Sequence, residues 1–169
     1  MAPGSPDQVE GAEAVFTGRF SKADRAKFRS VGTPLVAVEM SVERVYKGRV
    51  HERQTLVARP GGGASCGVMS VDSGPIAVFG YRPTARFDGG TQPPGVYAMN
   101  FCSYAPVSQA DLSALGPGEA PRSGSSPRAK VPPDTGYGWR EVWIATAAIG
   151  AVVLAGSLVT MVRRRRTPT

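Results

Sequence analysis

Cys66 and Cys102 are the only thiols of the chain, and His51 is its only histidine. Two thiols without nearby histidines are too few for a zinc site, and no other metal cluster is legible. Disulfide formation is the chemistry open to them, and it is the ordinary fate of cysteines outside the membrane. Pairing with each other would close a loop of 36 residues, contributing about 3–4 kcal/mol in the chain-entropy account. A cysteine nucleophile needs a base and a third group to orient that base. His51 lies 15 residues before Cys66, and Arg49, Glu52 and Arg53 around it are the setting of a solvated turn. Glu39 and Glu43, four residues apart on one apolar-alternating run, would stand about 13 Å apart on a strand. That is too far for a retaining pair of carboxylates and long for an inverting one. Both belong to the polar face opposite Val36, Val38, Met40 and Val42. With no phosphate loop, triad or metal cluster in sight, neither catalysis nor a cofactor is expected.

The elements that must hold these residues are mostly strands. Ala14 to Phe20, Leu35 to Tyr46, Gln54 to Arg59, Ile76 to Tyr81 and Val96 to Phe101 each read as a β-run bounded by turn residues. In the longest, the alternation slips at Val45 and Tyr46, which predicts a bulge. Ser5, Pro6 and Gln8 predict a short capped helix ahead of the first strand. Ser108, Asp111, Leu112, Leu115 and Gly116 predict a second helix, capped by Ser108, with its leucines toward the core and a glycine stop. Five short strands with two small helices fit a mainly β, OB-like closed barrel, with a sandwich as the alternative. This domain is expected to occupy residues 1–115.

Residues 116–138 differ in kind. Thirteen of the 23 are Gly, Pro or Ser, which predicts an extended, semi-flexible stalk. Next, Val142 to Val162 contains no charge, and Arg163, Arg164, Arg165 and Arg166 follow it. Twenty-one helical residues rise about 32 Å, enough to cross a hydrocarbon core of about 30 Å. Trp139 and Trp143 sit where an interfacial aromatic belt is expected. The expected division is thus a single transmembrane helix with its aromatic anchor over 139–162 and a basic tail over 163–169. The arginine block places the tail in the cytoplasm and the N-terminal domain outside the cell membrane. Residues 1–30 show no apolar signal segment, so either the chain shown is mature or trimmed, or its start is misassigned, or the span is a tail anchor with the domain inside; the arginine block, which would then have to translocate, argues against the last.

The net charge of +7 is unevenly spread. Residues 1–141 carry 16 basic and 13 acidic groups, ordinary for a soluble surface. Without a basic aromatic face, nucleic acid is not an expected partner.

The residues around both cysteines carry a family resemblance. GASCGVMSVDSGPIAVFGY and NFCSYAPVS resemble the two cysteine-bearing strand regions of tissue inhibitors of metalloproteinases. VEMSVERVYKG is similar to that family's long strand with its aromatic–Lys–Gly turn, EAVFTGRF to its first strand, and APGSPDQV to its N-terminal Ala/Val-Pro segment. Order and spacing agree over roughly residues 2 to 115. The resemblance implies a netrin-module barrel of the OB type, as in bacterial anchored proteins that carry only the inhibitor-like domain. It also implies a ridge that wedges into a protease cleft, with Ala2, Pro3, Ala64, Ser65 and Gly67 at the matching positions. In the family, an N-terminal Cys-x-Cys pairs with the equivalents of Cys66 and Cys102, and the first cysteine chelates the protease zinc through its amine and carbonyl. Here Met1 precedes Ala2 and the chain holds no Cys-x-Cys. The implied geometry therefore requires an upstream Cys-x-Cys; failing that, a direct Cys66–Cys102 bond or two free thiols remain. The expected function is a membrane-anchored extracellular binding module with a protein partner such as a metalloprotease. The alternative is a structural or cell-envelope spacer with no inhibitory activity.

Overall fold

The structure is a computed structural model that describes residues 5–29, 35–61, 68, 71, 73–84 and 91–131. The chain divides into two units, Met1–Asp134 and Thr135–Thr169, and the second falls outside the described residues. So do the expected transmembrane run and basic tail; among the described residues no helix is long and apolar enough to cross a membrane.

The first unit is mainly β. Its strands are β1 (Ala14–Phe20), β2 (Val36–Lys47), β3 (His51–Ala58), β4 (Ile76–Gly80), β5 (Tyr97–Met99), β6 (Tyr104–Pro106) and β7 (Arg122–Ser125). They form one sheet in the order β5-β3-β2-β1-β4-β6, with β7 also paired to β3. β1, β2 and β3 are an antiparallel meander, whereas β5 and β7 both run parallel to β3. The sheet curls into a half-barrel. Its two sides meet at a bridge between Tyr81 and Ala98, whose N–H groups each donate to the other's carbonyl at 3.2 and 2.9 Å.

The period-two face of β2 is the centre of the core. Val36, Val38, Met40 and Val42 pack with Phe16, Phe20, Phe28, Leu56, Ile76, Val78 and Met99. β1 and β4 are buried on both faces because α1 (Pro6–Gly11) and the turns after β6 cover their outer side. Val9, Val107, Leu112 and Leu115 there lie against Val15, Ala77 and Phe79. The outer side of β3 and β5 is covered differently. Val57, Val96 and Ala98 lie under Ala129 and Val131.

That cover corrects the expected stalk. The segment from Gly116 is extended, but as far as Val131 it lies along the sheet. Glu119 bridges Val45, β7 pairs with β3, and the buried Ser126 accepts from the Thr55 N–H at 2.7 Å while its own N–H donates to Arg53. Gln92 and Lys130 exchange two hydrogen bonds at 2.7 and 2.8 Å. The apolar outer face of β3 and β5 needs a lid, and Ala129 and Val131 are what the chain offers. The remaining expected stalk, 132–138, lies outside the described residues.

The predicted bulge is present. Val15 pairs with Lys47 and Phe16 with Val45, leaving Tyr46 extra. A second bulge leaves Glu43 extra between Arg44 and Val42, opposite Thr17 and Gly18. Gly18 is required there: a Cβ would stand 2.2 Å from the Ser41 carbonyl oxygen. Other boundaries move. β3 begins at His51 rather than Gln54, because β7 supplies partners to its first turn of residues. β5 stops at Met99 because Asn100 caps a 3₁₀ turn, Phe101–Ser103. The expected α-helix after Ser108 is instead two 3₁₀ turns, Val107–Gln109 and Ser113–Leu115. Asp111 accepts from both the N–H and the hydroxyl of Ser113, at 3.1 and 2.6 Å, and so starts a new turn. Gly116 ends it, at φ 77°. α1 starts at its Ser5 cap as expected. A second α-helix, α2 (Lys22–Lys27), has no apolar periodicity and was not expected; its signal is the Ser21 cap three residues before Asp24.

Candidate binding surfaces

Strand direction sorts the loops to two ends of the sheet. One end collects the end of β1, the start of β2, the loop leaving β3 and the turn leaving β5. Cys102 belongs to that turn and carries a free, exposed thiol. Asn100 Oδ1 accepts the Cys102 N–H at 2.9 Å and the Ser103 hydroxyl accepts the Asn100 N–H at 2.7 Å, so the turn is locked locally. Gln8 of α1 donates from Nε2 to the Cys102 carbonyl at 2.5 Å, tying the N-terminal helix to this turn. The base of the loop that carries Cys66 is pinched at the same end. Val68 donates to Arg59 at 2.8 Å, and Gly61 donates to Val68 at 3.1 Å. Cys66, Ala2, Pro3, Ala64, Ser65 and Gly67 themselves lie outside the described residues, as do Trp139, Trp143 and Arg163 to Arg166. Next to Cys102, Phe101 is 56% exposed, alone in this among the large hydrophobic side chains described. Its ring meets Tyr104 edge-on at 6.5 Å. Phe101 ends an apolar strand run, and alternation alone assigns it no side.

α2 stands at the same end. Asp24 accepts from Lys27 at 2.7 Å, from the Ser21 hydroxyl at 2.6 Å and from the Glu39 N–H at 3.3 Å, which docks the helix on β2. Burial acts to raise this carboxyl, but those hydrogen bonds outweigh it and hold Asp24 below the usual carboxylate range. Glu39 and Glu43 both face solvent, and Glu43 pairs with Arg19 at 2.8 Å.

The other end gathers Glu13 before β1, the β2–β3 turn, the start of β5 and β7. The turn closes on Gly48, at φ 82°, where a Cβ would stand 2.6 Å from the Glu13 carbonyl oxygen. A cleft of about 440 Å³ opens here, lined by Glu13, Arg49, His51, Tyr97, Arg122 and neighbouring glycines and prolines. Gln54, fully buried, organises its back wall: Nε2 donates to the Gly95 carbonyl at 2.7 Å and Oε1 accepts the His51 N–H at 3.2 Å. Tyr97 donates to the Arg49 carbonyl at 2.9 Å, and burial pushes its phenol up. His51 is therefore not in a solvated turn, as the flanking charges suggested. It opens β3, half-buried, and its Nδ1 is enclosed without a hydrogen-bond partner among the described residues. An enclosed polar atom left unpaired costs about 1–3 kcal/mol. On the rim, Arg82 pairs with Glu13, whose hydrogen bond raises the guanidinium further. Gln54, Tyr97 and Arg122 were not legible as site residues. They meet only through the parallel pairing of β5 and β7 to β3, which no local pattern reports.

No protein-family model matches the chain, and no curated protein sequence matches it.

Proposed function

We propose that this chain is a single-pass, membrane-anchored extracellular binding module that docks a protein partner at its cysteine end. The domain is read as a netrin-module barrel of the OB type. The meander β1-β2-β3, the parallel β3–β5 pair and the Tyr81–Ala98 bridge together support that reading. The observation that carries the binding role is Phe101: a large apolar ring held in solvent on a doubly capped turn, tied to the N-terminal helix through Gln8. Aromatic anchors on rigid supports are the side chains that interfaces use most. The resemblance to tissue inhibitors of metalloproteinases names an extracellular metalloprotease as the partner class. The uncharged run Val142 to Val162 with Arg163 to Arg166 after it supports the anchor and its orientation, tail inward.

A photo-crosslinking residue placed at Phe101 of the full-length chain in its own membrane tests this. A discrete adduct with an external protein, absent when the probe replaces the exposed Ser123 of β7, is expected. Mass spectrometry of the adduct then reads whether the partner is a metalloprotease. No adduct, or equal adducts from both positions, overturns the docking role and leaves a spacer.

A further inference from the structure

The cleft at the opposite end has chemistry that docking through Phe101 does not use. Its charged lining is Glu13, Arg49 and Arg122, with His51 and the Tyr97 phenol beside them. Glu13 is answered by Arg82 on the rim. Neither Arg49 nor Arg122 has an ion-pair partner among the described residues. Both come from separate elements, Arg49 from the β2–β3 turn and Arg122 from β7, and converge because β7 pairs with the start of β3 at His51. Both act electrostatically on Tyr97. His51 lines the same space, and its enclosed Nδ1 has no hydrogen-bond partner among the described residues. A neutral imidazole has one N–H to donate, and guanidinium groups present paired donors that match carboxylate and phosphate oxygens. Gly48 and Gly95, at φ 82° and 88°, put no side chain into the opening. A cleft of about 440 Å³ accepts one residue-sized or sugar-sized group.

We propose that this cleft binds an oxyanion, the carboxylate or phosphate group of an extracellular ligand, with Arg49 and Arg122 neutralising its charge beside the His51 ring. The site is independent of the docking reading, since it uses none of the residues that reading needs. Docking of the 116–131 segment completes it, since Arg122 arrives only with β7.

The test uses the full-length chain in detergent micelles, without an affinity tag, so that His51 gives the single histidine ring signal. Inorganic phosphate and a tetraglutamate peptide are titrated in turn, against sodium chloride at matched ionic strength. A saturable shift of the His51 signal with either probe and not with chloride is expected. A response to phosphate alone assigns a phosphoryl ligand, and a response to the peptide alone assigns a carboxylate. The double variant Arg49→Gln/Arg122→Gln should keep its melting temperature, both side chains being exposed, and weaken binding at least about tenfold. Lys22→Gln on α2 should leave affinity unchanged. A His51 signal that neither probe moves, that chloride moves equally, or that the double variant still reports at full affinity overturns the site. None of those results bears on crosslinking at Phe101, so the two readings fail separately.

Discussion

The two ends of the curled sheet are built on opposite plans. At the cysteine end the turns are fixed mainly by their own side chains: Asn100 and Ser103 cap one, which Gln8 of α1 also reaches, and Ser21 and Asp24 cap another. One apolar ring, Phe101, is left in solvent. At the arginine end the segments are stitched across long sequence separations, by Gln54 to Gly95, Tyr97 to Arg49 and Ser126 to Thr55. A locally capped turn can lose one side chain and keep its neighbours in place. A stitched end cannot, because each bond there holds two distant segments. The difference teaches where function can sit cheaply. The capped end presents a replaceable apolar anchor, while the stitched end holds a charged cleft whose form depends on the whole fold.

A change at the shared centre should erase the contrast altogether. Gly18→Ala drives a Cβ into the Ser41 backbone at the second bulge, and the loss should reach about 3 kcal/mol or more. Chemical denaturation of the chain measures it, with both ends melting together. At the stitched end, Gln54→Leu leaves the Gly95 carbonyl and the His51 N–H without their partner. It should cost about 2–3 kcal/mol and broaden the His51 ring signal. At the capped end, Asp24→Ala removes the hydrogen bond from the Glu39 N–H and the one from Lys27 and should cost about 1 kcal/mol. Because the folded carboxyl lies below its unfolded value, its stabilisation is fully present above the ordinary carboxylate range. It is lost as pH falls through the folded value. The melting-temperature gap between the native chain and Asp24→Ala should therefore hold at neutral pH and close below about pH 4. Smallest of all, Phe101→Ser should change stability by less than about 0.5 kcal/mol. A large loss there would show that the ring is structural and would dissolve the distinction between the ends.

Much of the central sheet was readable in the chain. Val36, Val38, Met40 and Val42 announced β2 by their period, the slip at Tyr46 marked a real bulge, and Ser5 placed the start of α1. These are local signals, carried by neighbours in sequence. Hidden features were of the other sort. The Gly- and Ser-rich stretch Arg122–Ser125 has no apolar pattern, and it becomes a strand only because β3 has an open edge and its outer face needs Ala129 and Val131 as cover. His51 read as a turn residue for the same reason: its strand partner is 71 residues away. Of the site expected from the family resemblance, Cys102 falls within the described residues and stands on a turn tied to α1.

Labelling of Cys102 in intact cells is the most direct check on an outward-facing domain that docks by this end. In a Cys66→Ser background the exposed Cys102 is the sole thiol. A membrane-impermeant maleimide should modify it on unbroken cells, to the same extent as after lysis. Modification only after lysis would put the domain inside the membrane and contradict the external binding role outright.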